Sequence, residues 1–481
     1  MLPNELTIKE AHEGLKKKDF SSVELTKACL ARIKKTDDKI KAFITVTEDI
    51  ALKQAEAIDK KGNFKNILTG IPTAPKDVYC TKGIRSTGAS KILDNYVPPF
   101  DATAIEKLNA AGAVTVGKVN CDEFAMGGSG ENSGYGNTHN PWDLDRVPGG
   151  SCSGSAAAVA ADMCLYSMGT DTGGSIRQPA GFCGITGLKV SYGRVSRYGV
   201  MSMASSLDTI GPITKNVEDA AIILKEIAGR DRKDSTTPDI KVDDYPKEIL
   251  KNIKGLKIGL PKEYFIDGMD KEVKEVVMQA VKKMEELGAK IIDISLPYTN
   301  KAVAAYYIIC PSEVSSNMSR YDGVRYGFSA EADNLLENYL QSRAQGFGAE
   351  VKRRIMIGTY CLSAGYYDAY YKKAMQVRTL VRNDFDQAFE KVDVILTPTS
   401  PTPAFKIGEN SSDPLKMYLA DVFTIPASLA GICGVSVNAG FTSNLPVGIQ
   451  ILGKRFAEST ILRAAYNYEQ ATDWHKRKPQ L

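Results

Sequence analysis

The chain has 481 residues, 43% of them hydrophobic and 25% charged, with a formal net charge of +4. Such a composition describes an ordinary globular protein, either one large α/β unit or roughly two to four average domains. It excludes a charge-driven nucleic-acid binder, whose basic footprint would be far stronger, and no apolar run is long enough to span a bilayer.

In chain order, Thr7-Ile-Lys-Glu10 and Ser21-Ser-Val-Glu24 each fit the capping box and predict two helix starts. Leu25, Cys29, Ile33 and Ile40 keep a rough helical period. Ala42–Val46 reads as a strand and Ile50–Lys60 as a helix. This opening part, about residues 1–60, announces no chemistry of its own. Leu68–Asp77 is a short apolar strand that delivers Lys76. Most lysines are solvated, but apolar neighbours argue for burial at this one. Asp101–Ala111 predicts a helix closed by Gly112, with a strand at Val114–Gly117. Gly127–Asn140, rich in Gly, Ser and Asn, is loop.

The stretch Pro148–Lys189 organises the rest. It holds two Gly/Ser clusters, Pro-Gly-Gly-Ser-Cys-Ser-Gly-Ser at 148–155 and Gly-Thr-Asp-Thr-Gly-Gly-Ser-Ile-Arg at 169–177. Between them Ala156–Ala161 looks helical, and Ile185–Val190 reads as a buried strand. Flexible linkers do not bracket apolar runs of that kind, and neither cluster ends in the Lys-Ser/Thr of a phosphate-binding loop. A serine straight after two glycines can sit on a tight turn beside backbone N–H groups. An acyl-transfer nucleophile needs such donors to meet its oxyanion, so Ser175 is the candidate.

Further on, Val217–Leu224 is helical and Gly229–Gly255, dense in Lys and Asp, is the best linker candidate. Strands follow at Leu256–Leu260 and Ile291–Leu296 around an amphipathic helix at Lys271–Leu287. Residues 302–391 are mostly helical in period. Val392–Leu396 is a strand entering the proline-rich 397–403. Val435–Val437 and Val447–Leu452 are further strands, and Ser459–Gln470 is a closing helix. The alternation of strands and helices predicts an α/β fold, a mixed twisted sheet covered by helices on both faces. No short repeat is present.

Nine cysteines without a Cys-x-x-Cys pair argue against a disulfide framework or a zinc ribbon, and for a reducing compartment. No metal site is expected. The N-terminus lacks a signal-peptide layout, so the expected location is the cytoplasm. Only three histidines exist, His12, His139 and His475, and only His139 lies near the clusters. It reads as a loop residue in Asn-Thr-His-Asn-Pro-Trp. A hydrolase this poor in histidine needs another base, and lysine is the natural one.

The two clusters, with Lys76 in Gly-Ile-Pro-Thr-Ala-Pro-Lys-Asp, resemble the amidase signature family over nearly the whole chain. The resemblance implies one amidase-signature domain over 1–481, with a core at about 61–228 and a C-terminal part at about 255–481. It implies a Lys76, Ser151, Ser175 triad: Ser175 attacks, Ser151 bridges after a cis peptide at Gly150, and Lys76 is the base. That base must be neutral, which burial favours. The N–H groups of Thr172, Gly173, Gly174 and Ser175 are the implied oxyanion hole. Several positions depart from the family pattern. Pro75 stands for a β-branched residue, Val78 for Asn, Cys152 for Ser and Ser153 for Gly. Pro75 suits only a position whose N–H is unpaired. Cys152 is a weaker hydrogen-bonding group than serine, and Ser153 adds a Cβ where unusual backbone angles would be costly.

Four later blocks, at 192–199, 319–327, 351–358 and 363–371, resemble the glutaminase components of tRNA-dependent amidotransferases. That narrower likeness implies Arg354 for a substrate carboxylate, Asp421 for its ammonium and Tyr306 as a polar group of the pocket. Arg353 and Tyr307 are the rivals one position away. It implies B and C subunits as partners, glutamine as substrate, and glutamyl-tRNA(Gln) or aspartyl-tRNA(Asn) as acceptor. ATP and magnesium would be used through a partner, since no nucleotide motif or cofactor site is visible in this chain. A free-standing amidase and a catalytically silent scaffold are the alternatives.

Overall fold

The computed structural model describes residues 2–410 and 414–481. Among them twelve strands form: β1 (Phe43–Val46), β2 (Pro72–Thr73), β3 (Val114–Thr115), β4 (Gly117–Val119), β5 (Tyr166–Asp171), β6 (Thr186–Lys189), β7 (Thr209–Thr214), β8 (Lys257–Pro261), β9 (Lys290–Ile294), β10 (Val394–Pro398), β11 (Cys433–Thr442) and β12 (Leu445–Gly453). Strands β1 and β4 make an antiparallel pair. The other ten make one sheet in the order β3-β2-β5-β7-β6-β11-β12-β10-β8-β9. Pairing is parallel at both ends, through β3, β2 and β5 and through β10, β8 and β9, and antiparallel between. The sheet is therefore mixed, as expected.

Every residue of β5, β6, β7, β10 and β12 is buried. Successive strand residues point to opposite faces, so burial of all of them means that both faces are covered. Both capping boxes form: Thr7 opens helix Ile8–Lys17 and Ser21 opens helix Ser22–Ile40.

Three elements at the centre escape the sequence pattern. Strand β5 contains Ser and Gly, β7 contains Gly211-Pro212, and helix Arg177–Cys183 contains Pro179 and Gly181. The strand residues are breakers by local propensity, overridden by the partners the sheet supplies, whereas Pro179 falls in the first turn of its helix, where its missing N–H is tolerated. Residues 229–255 are not a bare linker. Tyr245 and Ile249 are fully buried, and Arg194 donates to the Tyr245 hydroxyl and to the carbonyls of Ile240 and Lys241.

Candidate active site

Strand β5 ends at Asp171 and leads through Thr172–Ser175 into helix Arg177–Cys183. One buried ion pair clamps that turn. The Asp171 carboxylate accepts from Arg177 Nε and Nη2, both at 3.0 Å, and from the backbone N–H of Ile176 at 3.2 Å and Arg177 at 3.4 Å. Burial alone would raise the Asp171 carboxyl, but Arg177 outweighs it and holds the group below the usual carboxylate range. Thr424 Oγ1 donates to the Gly173 carbonyl at 2.7 Å. At Gly174 φ is +150°, and a Cβ there would stand 2.1 Å from Thr424 Oγ1, so no other residue fits. The backbone N–H groups of Thr172, Gly173, Gly174 and Ser175 donate to no acceptor among the described residues. Four such donors on one turn can stabilise an oxyanion.

Lys76 follows Pro75 just beyond the end of β2. Regular pairing stops at Thr73, and Lys76 meets Val119 in an isolated bridge. The Pro75 carbonyl still accepts from Val119 N–H at 3.1 Å, and the flanking Ala74 and Lys76 N–H groups donate to the Tyr166 and Met168 carbonyls. The Lys76 side chain is wholly buried, and its Nζ lies 2.7 Å from Ser151 Oγ, 2.9 Å from Thr170 Oγ1 and 3.4 Å from Cys152 Sγ. No carboxylate pairs with this amine among the described residues. The neighbouring buried Lys118 differs, since Asp77 lies 3.6 Å from its Nζ.

The Gly150–Ser151 peptide is cis. The Cys152 N–H donates to the Ser175 carbonyl at 3.2 Å, which ties the two clusters together. The side chains of Ser151 and Ser175 make no direct hydrogen bond, so the structure holds the Lys76–Ser151 half of the expected relay and the Ser175 turn beside it. Cys152 is buried, donates to the Thr170 carbonyl at 3.2 Å, and has its thiol pushed up by burial, which keeps it protonated. Ser153 opens helix Ser153–Ala160 with ordinary helical geometry. Gly130 makes room for it, because a Cβ on Gly130 would stand 2.4 Å from Ser153 Cβ. His139 Nδ1–H donates to the Leu144 carbonyl at 2.6 Å, a loop role as expected.

A cleft of about 120 Å³ lies between the loop containing Gly127–Asn132 and helix Ala349–Leu362, lined among others by Gly128, Tyr307, Glu350, Arg354 and Tyr418. Arg354 is buried, with its Nε 2.8 Å from Glu350 Oε1 and its guanidinium 5.5 Å from the Tyr307 ring centre. Arg353 pairs with the same Glu350 but keeps 44% of its side chain exposed. Gly128 abuts Asp421, whose Oδ2 would lie 3.1 Å from a Cβ there. Burial pushes the Asp421 carboxyl up to about 8, against the pull of Arg354. Asp421 Oδ1 accepts from Gln178 Nε2 at 3.4 Å, and Gln178 Oε1 accepts from Gly150 N–H at 3.0 Å. Tyr306 packs its ring against Gly173, where a Cβ would be 2.8 Å from the phenol oxygen. Tyr306 thus lies against the Ser175 turn and Asp421 reaches the helix that follows it through Gln178, while Arg354 lines the cleft beside Glu350. Tyr307 stacks on Tyr418 at 3.7 Å as a cleft wall.

A family model described as Amidase matches residues 24–462. The chain belongs to the amidase family. It is similar to the A subunit of glutamyl-tRNA(Gln) amidotransferase from Geotalea daltonii, at 58% identity over 99% of both chains. It is equally similar to the protein of that name from Geobacter metallireducens, at 58% identity over 98% of this chain and 99% of that one. Among solved structures, the protein of the same name from Thermotoga maritima matches with a TM-score of 0.81 at 46% identity, over 96% of this chain and 94% of that one.

As an amidase, the chain is an enzyme with a mixed-sheet α/β fold. Its site contains residues that sequence reasoning passed over. Thr170 is the second oxygen on Lys76, Gln178 links Gly150 to Asp421, and Glu350 holds both arginines. The first two lie inside the second Gly/Ser cluster or one residue past it, but which face of β5 or of the short helix they occupy depends on the sheet. Glu350, four residues before Arg354, was legible as a helical ion pair. Among the described residues no group of three or more His, Cys, Asp or Glu could hold a metal, and no helix is long and apolar enough to cross a membrane.

Proposed function

We propose that this amidase hydrolyses the side-chain amide of glutamine through an acyl-enzyme on Ser175 and supplies ammonia to companion proteins. Those companions, the B and C subunits of a tRNA-dependent amidotransferase, use ATP and magnesium to activate glutamyl-tRNA(Gln), or aspartyl-tRNA(Asn), and amidate it. The observation that carries the reading is the turn whose four N–H groups have no acceptor among the described residues, beside a buried Lys76–Ser151 contact. The relatives' names support the glutamine and tRNA parts.

In this reading Lys76, as a free amine, takes a proton from Ser151, and Ser151 takes the Ser175 proton. Ser175 Oγ bonds to the amide carbon, and the oxyanion rests on the N–H groups of Thr172, Gly173, Gly174 and Ser175. Collapse breaks the C–N bond, and the proton returns through Ser151 to the departing nitrogen, which leaves as ammonia. Water then attacks the ester by the same route, releasing glutamate. Arg354 meets the α-carboxylate of glutamine, Asp421 its α-ammonium, and Tyr306 donates from its phenol. An exposed apolar run on helix Ala349–Leu362 and the turn after it, including Met356, Ile357, Tyr360, Tyr366 and Tyr367, supports a protein contact on that side. The proposed workplace is the cytoplasm.

The test is glutamine hydrolysis by the isolated chain and by the chain co-expressed with B and C subunits, with ATP, magnesium and glutamyl-tRNA. Ser175→Ala is expected to lower kcat by at least about 10³-fold without altering the melting temperature. Partners and tRNA are expected to raise wild-type turnover through a population shift of the signature turns. Full turnover by Ser175→Ala would remove the nucleophile assignment. Equal rates with and without bound partners would favour a free-standing amidase.

A further inference from the structure

Asp122 and Glu123 are adjacent buried residues outside the proposed triad; their carboxylates are bonded to different walls of the cleft, while the Glu123 backbone N–H donates to the Asn132 carbonyl at 3.1 Å. Asp122 Oδ2 accepts from Gly130 N–H at 3.0 Å and its Oδ1 from Asn132 N–H at 2.9 Å. Its backbone N–H, which no side-chain substitution removes, donates to the Ser151 carbonyl at 3.3 Å, and its carboxylate meets the Ser151 turn at Gly150. Glu123 instead reaches helix Ala349–Leu362. Its Oε2 accepts from the N–H of Gly348, the capping residue, at 2.8 Å, and its Oε1 accepts from the Ser90 hydroxyl. Gly348 has no side chain with which to cap the helix, and a carboxylate at a helix N-terminus is also favoured by the dipole. Both carboxylates press on bare backbone. A Cβ on Gly127 would stand 2.2 Å from Asp122 Cγ, one on Gly150 2.2 Å from Asp122 Oδ2, and one on Gly348 2.4 Å from Glu123 Oε2.

We propose that Asp122 and Glu123 are positioning residues that brace the two walls separately. Glu123 sets the helix that carries Arg354, and Asp122 sets the Gly127–Asn132 wall together with the Ser151 turn. The kinetic part rests on the reading of glutamine as substrate and Arg354 as its carboxylate ligand. Glu123 then acts on a part of the substrate that does not change during reaction, and its loss raises KM. Asp122 acts on the proton relay, and its loss lowers kcat.

The experiment combines steady-state glutamine hydrolysis with hydrogen exchange of the full chain read by mass spectrometry. Glu123→Ala is expected to raise KM about tenfold with kcat nearly unchanged, and to speed exchange over residues 348–354 but not 127–132. Glu123→Gln restores both, because its amide oxygen still accepts from Gly348 and its nitrogen can donate to Ser90. Asp122→Asn loses one acceptor. It is expected to lower kcat about tenfold and to speed exchange over 127–132 but not 348–354. Should Glu123→Ala fail to fold, Glu123→Asp, too short to reach Gly348, carries the same expectations. Exchange that rises over both segments alike in either variant, or a Glu123→Ala enzyme with unchanged KM, would overturn the brace. A wild type that does not hydrolyse glutamine would defeat the proposed function, and the exchange pattern would still decide the brace.

Discussion

At the scale of single residues, pH acts on the proposed site through Asp421. Its carboxyl is pushed up to about 8 by burial, with Arg354 pulling the other way. In the proposed function Asp421 meets the ammonium of glutamine, and a neutral carboxyl cannot pair with it, so binding on that reading requires the form that gains population as pH rises toward 8. KM for glutamine is expected to fall with rising pH by up to about tenfold per unit below pH 8. In Asp421→Asn that slope should vanish and KM should be high throughout. A pH profile of kcat/KM checks this, and an unchanged slope in the variant would assign the titration to another group. Asp421 is visible in the sequence only through the family likeness. Nothing in the string Leu419-Ala-Asp-Val announces that Gly128 and Gln178 will pack on it.

At the scale of elements, the turn between β5 and helix Arg177–Cys183 depends on one ion pair whose two side chains are both fully buried. Arg177→Met removes the cation and leaves Asp171 buried and charged. The expected loss is about 3–5 kcal/mol of stability in urea unfolding. A fall in kcat should accompany it, because the turn that presents the four N–H groups loses its anchor. Arg177→Met combined with Asp171→Leu should recover most of the stability and little of the activity. A single variant within about 1 kcal/mol of wild type would show that the pair does not shape the turn. The sequence places Asp171 and Arg177 six positions apart around two glycines, which is suggestive of a clamp. It does not reveal that Ser428 and Gln450, far along the chain, complete the guanidinium's hydrogen bonds.

At the scale of the whole molecule, several buried carboxylates are pushed up by burial: Asp208 to about 6, Asp219 to about 7, Glu469 to about 8. Asp219 accepts from Ile8 N–H and Glu469 from Val217 N–H, so these two hold the first helix and the last helix to the one between them. Each folded-state value lies above the unfolded one near 4. Between the two values the folded chain keeps protons that the unfolded chain has released, so stability falls as pH rises from about 4 to 8. His12 and His475, both lowered by burial, oppose this only below their ordinary value of 6.5. The melting temperature is therefore expected to be lower at pH 9 than at pH 6.5, and Glu469→Gln should flatten the trend. One cooperative calorimetric transition is expected, because strands from both sides of residues 229–255 share one sheet. A rising melting temperature over that range would refute the first expectation, and two separable transitions the second.

The sequence by itself determined the parts that depend on local chemistry. The capping boxes at Thr7 and Ser21 and the helices with a clear period are set by residues close together in the chain. The family likeness named Lys76, Ser151, Arg354 and Asp421 without showing how they meet. Only the tertiary structure decided that β5, β7 and helix Arg177–Cys183 exist, since each contains residues that break such elements in isolation. It also decided that Thr170 is on Lys76, that Gly130 makes room for Ser153, and that Asp122 and Glu123 hold different walls. The physical reason is the same in each case. Local propensity differs by about 1 kcal/mol per residue, whereas burial and pairing of polar groups inside a sheet-centred core are worth more and join residues hundreds of positions apart.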